Sequence, residues 1–232
     1  MKDFIHELFS NPDMLRMGHA QRLEDRNLGL GWIYYALGRI FRPEQAVVIG
    51  SYRGFVPSVL AKSLQDNDEE GEVIFIDPSY VDDFWEDPGK VQQHFTDLGI
   101  ANIRHYRYTT QDFVKTDIYE KLSNIGIVMI DGYHSAEQAR FDYLAFMEKM
   151  AAESVFLFHD SIHERMSTKY GKDHPYEHTV CQLMVRMQET RGFETITLPF
   201  GSGVTLVKGR PDTLEHINMP FEKDKQVITT TV

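Results

Sequence analysis

The stretch that decides the fold is QAVVIGSYRGFVPSVLAKSL, residues 45–64. A short β-branched run from Ala46 to Ile49 breaks at Gly50 into the turn GSYRG, and apolar residues then resume at helical spacing. A strand that feeds a glycine turn and then a helix leaves unpaired backbone N–H groups aimed at one spot above the sheet edge, together with the positive end of a helix dipole. The sequence therefore predicts a place for a polar or anionic group at this turn.

Working outward, the same alternation continues along the chain. Runs at AVVIGS (46–51), EVIFID (72–77), NIRHYRY (102–108), IGIVMID (125–131), SVFLFHD (154–160), FETITLPF (193–200) and GVTLVKG (203–209) predict seven strands. Helical patterns fill the intervals between the first five, for example Ala139, Tyr143, Phe146, Met147 and Met150, whereas only Gly201 and Ser202 separate the last two. Strand–helix alternation builds a parallel sheet, and a two-residue Gly-Ser link builds an antiparallel hairpin. The expected class is α/β, with a seven-stranded, mostly parallel sheet, a reversed terminal hairpin and helices on both faces. Leu30, Ile33, Tyr34, Leu37 and Phe41 form one apolar helix face that ends ahead of Pro43. The expected organisation is an N-terminal helical segment over 1–42, a core over 43–211 and a loosely held C-terminal tail over 212–232. The polar, aperiodic stretch SIHERMSTKYGKDHPYEH (161–178) predicts a long loop over the strand ends.

The 232 residues carry a formal net charge of −11, with basic residues scattered rather than gathered in a stripe. That pattern disfavours a nucleic acid partner. Cys181 is the only cysteine, no apolar run is long enough to span a bilayer, and MKDFIHELFS lacks a signal-peptide core. The expectation is a soluble cytoplasmic protein with no membrane partner. The apolar residues Phe4, Ile5, Leu8 and Phe9 suggest a homo-oligomer contact.

In open parallel sheets, ligands bind beyond the carboxyl ends of the strands. Those ends carry GSYRG, Asp77, TTQD (109–112), DGYH (131–134) and the pair His159–Asp160. Gly50 and Gly54 fit G-x-x-x-G, and Tyr52 stands where a dinucleotide fingerprint has its second glycine, which disfavours a nicotinamide cofactor. Asp77 either accepts the ribose hydroxyls of a nucleoside or caps the turn before Pro78. His134 is either a general base or part of the next helix cap. Alternation along a strand turns His159 away if Asp160 faces the site. His163, His174 and His178 match no tight zinc spacing and read as solvated loop histidines. Trp32 and Tyr35 are candidates for an acceptor pocket, with Tyr34 in the core.

The segments VVIGSYRGF (47–55), VIFIDPS (73–79), IGIVMIDGYHSAEQARFDYLAFMEKM (125–150) and SVFLFHDS (154–161) resemble the class I S-adenosylmethionine-dependent methyltransferases. Within that class the likeness is to the macrocin-type and catechol-type small-molecule O-methyltransferases, in register from about Leu30 to Gly209. The resemblance implies a Rossmann-like sheet, S-adenosylmethionine as cofactor and a small hydroxylated metabolite as acceptor. It puts Gly50, Ser51 and Gly54 against the methionine part, with Tyr52 in the same binding turn, and Asp77 on the ribose. It puts Thr110, Gln111 and Asp112 near the adenine, and Asp131 beside the methyl group. Two departures are Val48, where relatives place an acid, and MAAES (150–154), which lacks the usual glycine turn. The signature of amino-group methyltransferases after the fourth strand is absent. A hydroxyl acceptor must lose its proton, and a divalent cation lowers the pKa of a hydroxyl it binds. Asp131, Asp160 and His159 are the expected ligands, magnesium the expected ion, and Asp131 and His134 the expected catalytic residues. Two rival readings are an inactive methyltransferase-like nucleotide-binding protein and an NAD-dependent oxidoreductase.

Overall fold

The computed structural model describes residues 1–11, 14, 18–67 and 70–221. In chain order the strands are β1 (Gln45–Ile49), β2 (Glu72–Ile76), β3 (Ile103–Tyr106), β4 (Ile125–Ile130), β5 (Met150–His159), β6 (Arg165–Ser167), β7 (Tyr176–His178), β8 (Phe193–Leu198) and β9 (Val204–Gly209). The helices are α1 (Lys2–Ser10), α2 (Gly31–Phe41), α3 (Phe55–Gln65), α4 (Pro88–Asp97), α5 (Thr110–Phe113), α6 (Asp117–Lys121), α7 (Ala136–Phe146), α8 (Val180–Glu189) and α9 (Glu215–Asn218). One sheet runs in the order β3-β2-β1-β4-β5-β9-β8. Its first five strands pair in parallel, and β9 lies antiparallel between β5 and β8, as the short Gly-Ser link predicts. Strand order reverses between β1 and β4, which is where such sheets open a crevice.

Alternation along each strand divides the apolar residues between two cores. Ala46, Val48, Phe75, Met129 and Leu157 pack on one face with α2 and α3 residues such as Tyr34, Val56 and Leu60. Val47, Ile49, Ile76, Val128, Ile130 and Phe158 pack on the other with Tyr143, Phe146, Leu183 and Met187 of α7 and α8. Burial on both faces is why these strands read as continuous apolar runs. At the β8 edge, by contrast, Ile196 is exposed.

Two expectations are corrected. The predicted loop contains a small antiparallel hairpin, with Arg165 opposite His178 and Ser167 opposite Tyr176; it escapes sequence reading because its strands are three residues long and polar. The first part of the predicted loose tail is docked, since Ile217 and Phe221 are buried in the second core, and Phe221 lies under the guanidinium groups of Arg140 and Arg186. The rest of that tail, 222–232, lies outside the described residues. Phe4, Leu8 and Phe9 are buried in the first core, so the physical basis offered for a homo-oligomer contact is spent inside the chain. Among the described residues no helix is long and apolar enough to cross a membrane.

Candidate active site

Strand register lines the site up. Ile49 pairs with Ile76 and with Ile130, and Ile130 pairs with Phe158, so Gly50, Asp77, Asp131 and His159 end their strands at one level. Asp131 N–H donates to Ile49 O at 2.8 Å and Gly50 N–H to Ile76 O at 2.8 Å, which carries the sheet to the start of the turn. Gly50 has a φ of 70°, and a Cβ there would stand 2.4 Å from Gly132 Cα. Its glycine is therefore required by the neighbouring backbone as well as by conformation. Gly54, at φ 82°, is likewise structural: a Cβ would press on Trp85 and Phe95 at 3.0 and 3.1 Å, and Gly54 is absent from the cavity wall.

Above these ends lies a cavity of about 360 Å³ whose wall includes Gly50, Ser51, Tyr52, Asp77, Thr110, Gln111 and Asp131. Asp77 takes the capping role and also lines the cavity. Its Oδ1 accepts from Ser79 N–H at 2.8 Å and its Oδ2 from Ser51 N–H at 3.3 Å, so it fixes both turns while facing the cavity. Burial pushes its pKa up, against those two bonds. Asp112 is corrected: it is exposed, bonded to Lys115 and to the Thr109 hydroxyl, and turned away from the cavity. Trp32 and Tyr35 are corrected too. Trp32 is exposed, Tyr35 donates to Asp66 at 2.9 Å, and neither lines the cavity.

At the β4–β5 end, Asp131 joins a buried cluster of histidines. His159 Nδ1 is 2.6 Å from Asp131 Oδ1, and His19 Nε2 is 3.4 Å from Oδ2. Simple alternation would turn His159 away, but Asp160 takes a φ of 54°, which breaks the extended chain and lets both residues face one site. Burial opposes the Asp131 charge, yet His159 and His19 outweigh it and hold the carboxyl well below its usual range. Burial also opposes charge on His159, where Asp131 prevails and raises the pKa. His19, buried and beside His159, is lowered. Burial likewise opposes the Asp160 charge, and His178, His134 and His159 depress its pKa. Asp160 Oδ2 meets His178 Nδ1 and Arg165 at 2.5 Å each. His178 is thus a buried partner of Asp160, which corrects its reading as a solvated loop residue; His163 and His174 are exposed as expected.

Two sets of donor atoms converge among the described residues: His19, Asp131 and His159, and His134, His159 and Asp160, each within 4.8 Å of one another. Asp131 and Asp160 fall in different sets, so the expected pair of carboxylates on one ion is not the arrangement found. The first set also has its outer atoms held. His159 Nε2 donates to Gly18 O at 3.2 Å, and His19 Nδ1 lies 2.9 Å from the Tyr34 hydroxyl. His159 Nδ1 is buried, and its ring N–H is not aligned for a hydrogen bond to Asp131. Imidazoles anchored at one nitrogen with the other aimed at a shared point beside a carboxylate fit a divalent cation.

The hairpin closes the cavity from above. Tyr176 stacks on Tyr133 with ring centres 4.6 Å apart, and Tyr170 lies 5.1 Å from Tyr176. Lys169 sits 4.3 Å over the Tyr52 ring on the cavity wall. Thr179 ties this loop to α7: its N–H donates to His134 O and its hydroxyl accepts from Ala136 N–H, both at 2.9 Å. Ser135, not His134, caps α7. Sequence reasoning misses His19, Lys169, Tyr170 and Tyr176. Tyr133 is at hand within DGYH; the others sit in segments without period or strand-end position.

Residues 47–161 match the family described as a methyltransferase domain, in agreement with the resemblance drawn from the sequence. No curated protein matches its sequence. Among solved structures it is similar to a Bacillus cereus O-methyltransferase in complex with SAH, at 12% identity and TM-score 0.61 over 90% of this chain and 91% of that one. It is also similar to the SAH-bound Podospora anserina methyltransferase PaMTH1, at 12% identity and TM-score 0.58 over 90% and 86%. A third is the O-methyltransferase TomG from Streptomyces achromogenes in complex with SAM, at 14% identity and TM-score 0.57 over 90% and 87%. At such identities the likeness is one of fold.

Proposed function

We propose that the enzyme transfers the methyl group of S-adenosylmethionine to a hydroxyl of a small metabolite. The observation that carries this reading is Asp131, which lines the cavity and also belongs to the buried histidine cluster. A donor in the cavity and an acceptor at the cluster then meet at one residue. Two of the similar structures are O-methyltransferases, which supports oxygen as the accepting atom.

In the transfer the acceptor oxygen forms a bond to the methyl carbon while the carbon–sulfur bond breaks, its electron pair stays on sulfur, and the hydroxyl proton leaves to a base. His134 is available for that proton because burial pushes its pKa down to about 3 and leaves it neutral. Its Nε2 lies 3.5 Å from Asp160 Oδ2, a carboxylate placed to stabilise the imidazolium formed. So weak a base takes a proton only from an acidified hydroxyl. His19, Asp131 and His159 are the residues that would hold a divalent cation, which would supply that acidification. Two imidazoles and one carboxylate suit a first-row transition cation better than magnesium, which prefers oxygen ligands.

Calorimetry with S-adenosylmethionine, S-adenosylhomocysteine and NAD, each with and without manganese or magnesium, tests the reading, followed by labelled-methyl transfer to a panel of phenols and alcohols. Binding of S-adenosylhomocysteine, and label recovered as an ether, are expected. Binding of NAD alone sinks the proposal.

A further inference from the structure

Asp142 belongs to no role assigned above. It lies on α7 one turn beyond Gln138, fully buried, and both side chains reach the cavity wall. Gln138 Nε2 donates to Asp142 Oδ1 at 2.8 Å, and Gln138 Oε1 accepts from Gln111 Nε2 at 2.7 Å, so the amide between them is fixed in one orientation. The Thr110 hydroxyl lies beside the carboxyl. Oδ2 is buried and makes no hydrogen bond of good geometry. Among the described residues no charged group offsets this carboxyl, whose neighbours are Thr110 and Gln138. A buried polar atom left open on a cavity wall marks a place where a ligand brings the missing partner.

We propose that Asp142 is the residue that recognises the exocyclic amino group of the cofactor's adenine, with Thr110 and Gln138 holding its carboxyl in place. This rests on the S-adenosyl reading of the cavity. An open carboxylate oxygen accepts from the 6-amino group, whereas a 6-oxo purine sets its own acceptor against it and a purine bearing only hydrogen there offers nothing. The site thereby selects an amino-purine over an oxo-purine by the partner it leaves unpaired. Asp112, the acid the resemblance implies near this base, faces solvent instead.

The test is calorimetry on the full chain at about pH 8.5, above the Asp142 pKa of about 7 so that the carboxyl is ionised. The ligands are S-adenosylhomocysteine, its 6-oxo (inosyl) analogue and its 6-hydrogen (purine riboside) analogue. The wild-type chain is expected to bind the adenosyl compound at least about tenfold more tightly than either analogue, the span of one hydrogen bond to a charged group. In Asp142→Asn, whose amide can donate to a 6-oxo group, the preference over the inosyl analogue should shrink to within about threefold or reverse. Equal wild-type affinity for the adenosyl and 6-hydrogen compounds overturns the proposal without any variant. So does unchanged discrimination in a folded Asp142→Asn. A wild-type chain that binds none of the three fails at the S-adenosyl reading itself, an outcome distinct from binding without discrimination.

Discussion

Asp131 and Asp142 are two buried carboxyls on one cavity wall, and their pKa values are shifted in opposite directions. Burial raises the pKa of both. At Asp131 the rings of His159 and His19 overcome it, and the carboxyl stays ionised. At Asp142 the neighbours are a hydroxyl and an amide, and burial wins, bringing the pKa up to about 7. Depth therefore does not decide charge; the partners do. The difference divides the cavity into an end built to hold ions and move protons, and an end built to read hydrogen-bonding groups.

The largest effect is expected at the charged end. Asp131→Asn keeps the shape but removes the charge that raises the His159 pKa and that would face a cation. Turnover should fall on the order of 10³–10⁴-fold, while affinity for S-adenosylhomocysteine changes by less than about tenfold. Steady-state kinetics beside calorimetry separate the two, and near-normal turnover would break the division.

Next in size is the pH response of the apo protein at the other end. The folded Asp142 pKa lies above the unfolded one, so the associated stability is full below about pH 4 and is lost as pH rises through about 7. A gap of about three units corresponds to at most about 4 kcal/mol. Asp142→Asn, neutral throughout, should overtake the wild type in melting temperature between about pH 5 and 8. Asp131, with its depressed pKa, contributes in the opposite sense: its stability is present above the usual carboxyl range and is lost as pH falls. A variant no more stable than wild type at pH 8 would show that Asp142 ionises without penalty.

A smaller effect tests the histidines that hold Asp131 ionised. If His19 is a ligand and not only a neighbour, His19→Ala should weaken manganese binding at least about tenfold, while His174→Ala, on the exposed part of the loop, leaves it unchanged. Manganese electron paramagnetic resonance reads this without turnover. Equal affinity in both variants would leave His19 as a packing residue.

What is legible in the sequence follows the same division. Strand ends are legible because β-branched runs stop at polar residues, so Gly50, Asp77, Asp131, His159 and Asp160 stand out from the amino-acid pattern alone. The mostly parallel pairing and the reversed hairpin follow from linker lengths. His134 is legible in the same way within DGYH, but two further partners of the cluster are not. His19 lies between α1 and α2 in a segment without periodicity, and it arrives only because Leu30 N–H bonds to His19 O and Tyr34 meets its ring. His178 reads as solvated because a three-residue polar strand leaves no pattern. Asp142 is visible as a letter within the segment 125–150 that carries part of the resemblance, but an acid on a helix otherwise reads as a solvated position, and only its burial shows otherwise.

The smallest effect sharpens the reading of Asp142 through its neighbour. Thr110 is buried, and its hydroxyl stabilises the ionised carboxyl, lowering the Asp142 pKa against the larger effect of burial. Thr110→Val keeps the shape and removes the hydroxyl. The Asp142 pKa should then rise further, because the charged form loses the stabilising influence of a neighbouring hydroxyl that the neutral form needs less. The loss in unfolding free energy should accordingly be about 1 kcal/mol greater at pH 9, where Asp142 is ionised, than at pH 5, where it holds its proton. Urea melts of both proteins at the two pH values measure that difference directly. An equal loss at both would mean the hydroxyl bonds elsewhere, and the carboxyl would then rest on Gln138 alone. A larger loss at pH 5 would reverse the sign and make Thr110 an acceptor from a protonated Asp142.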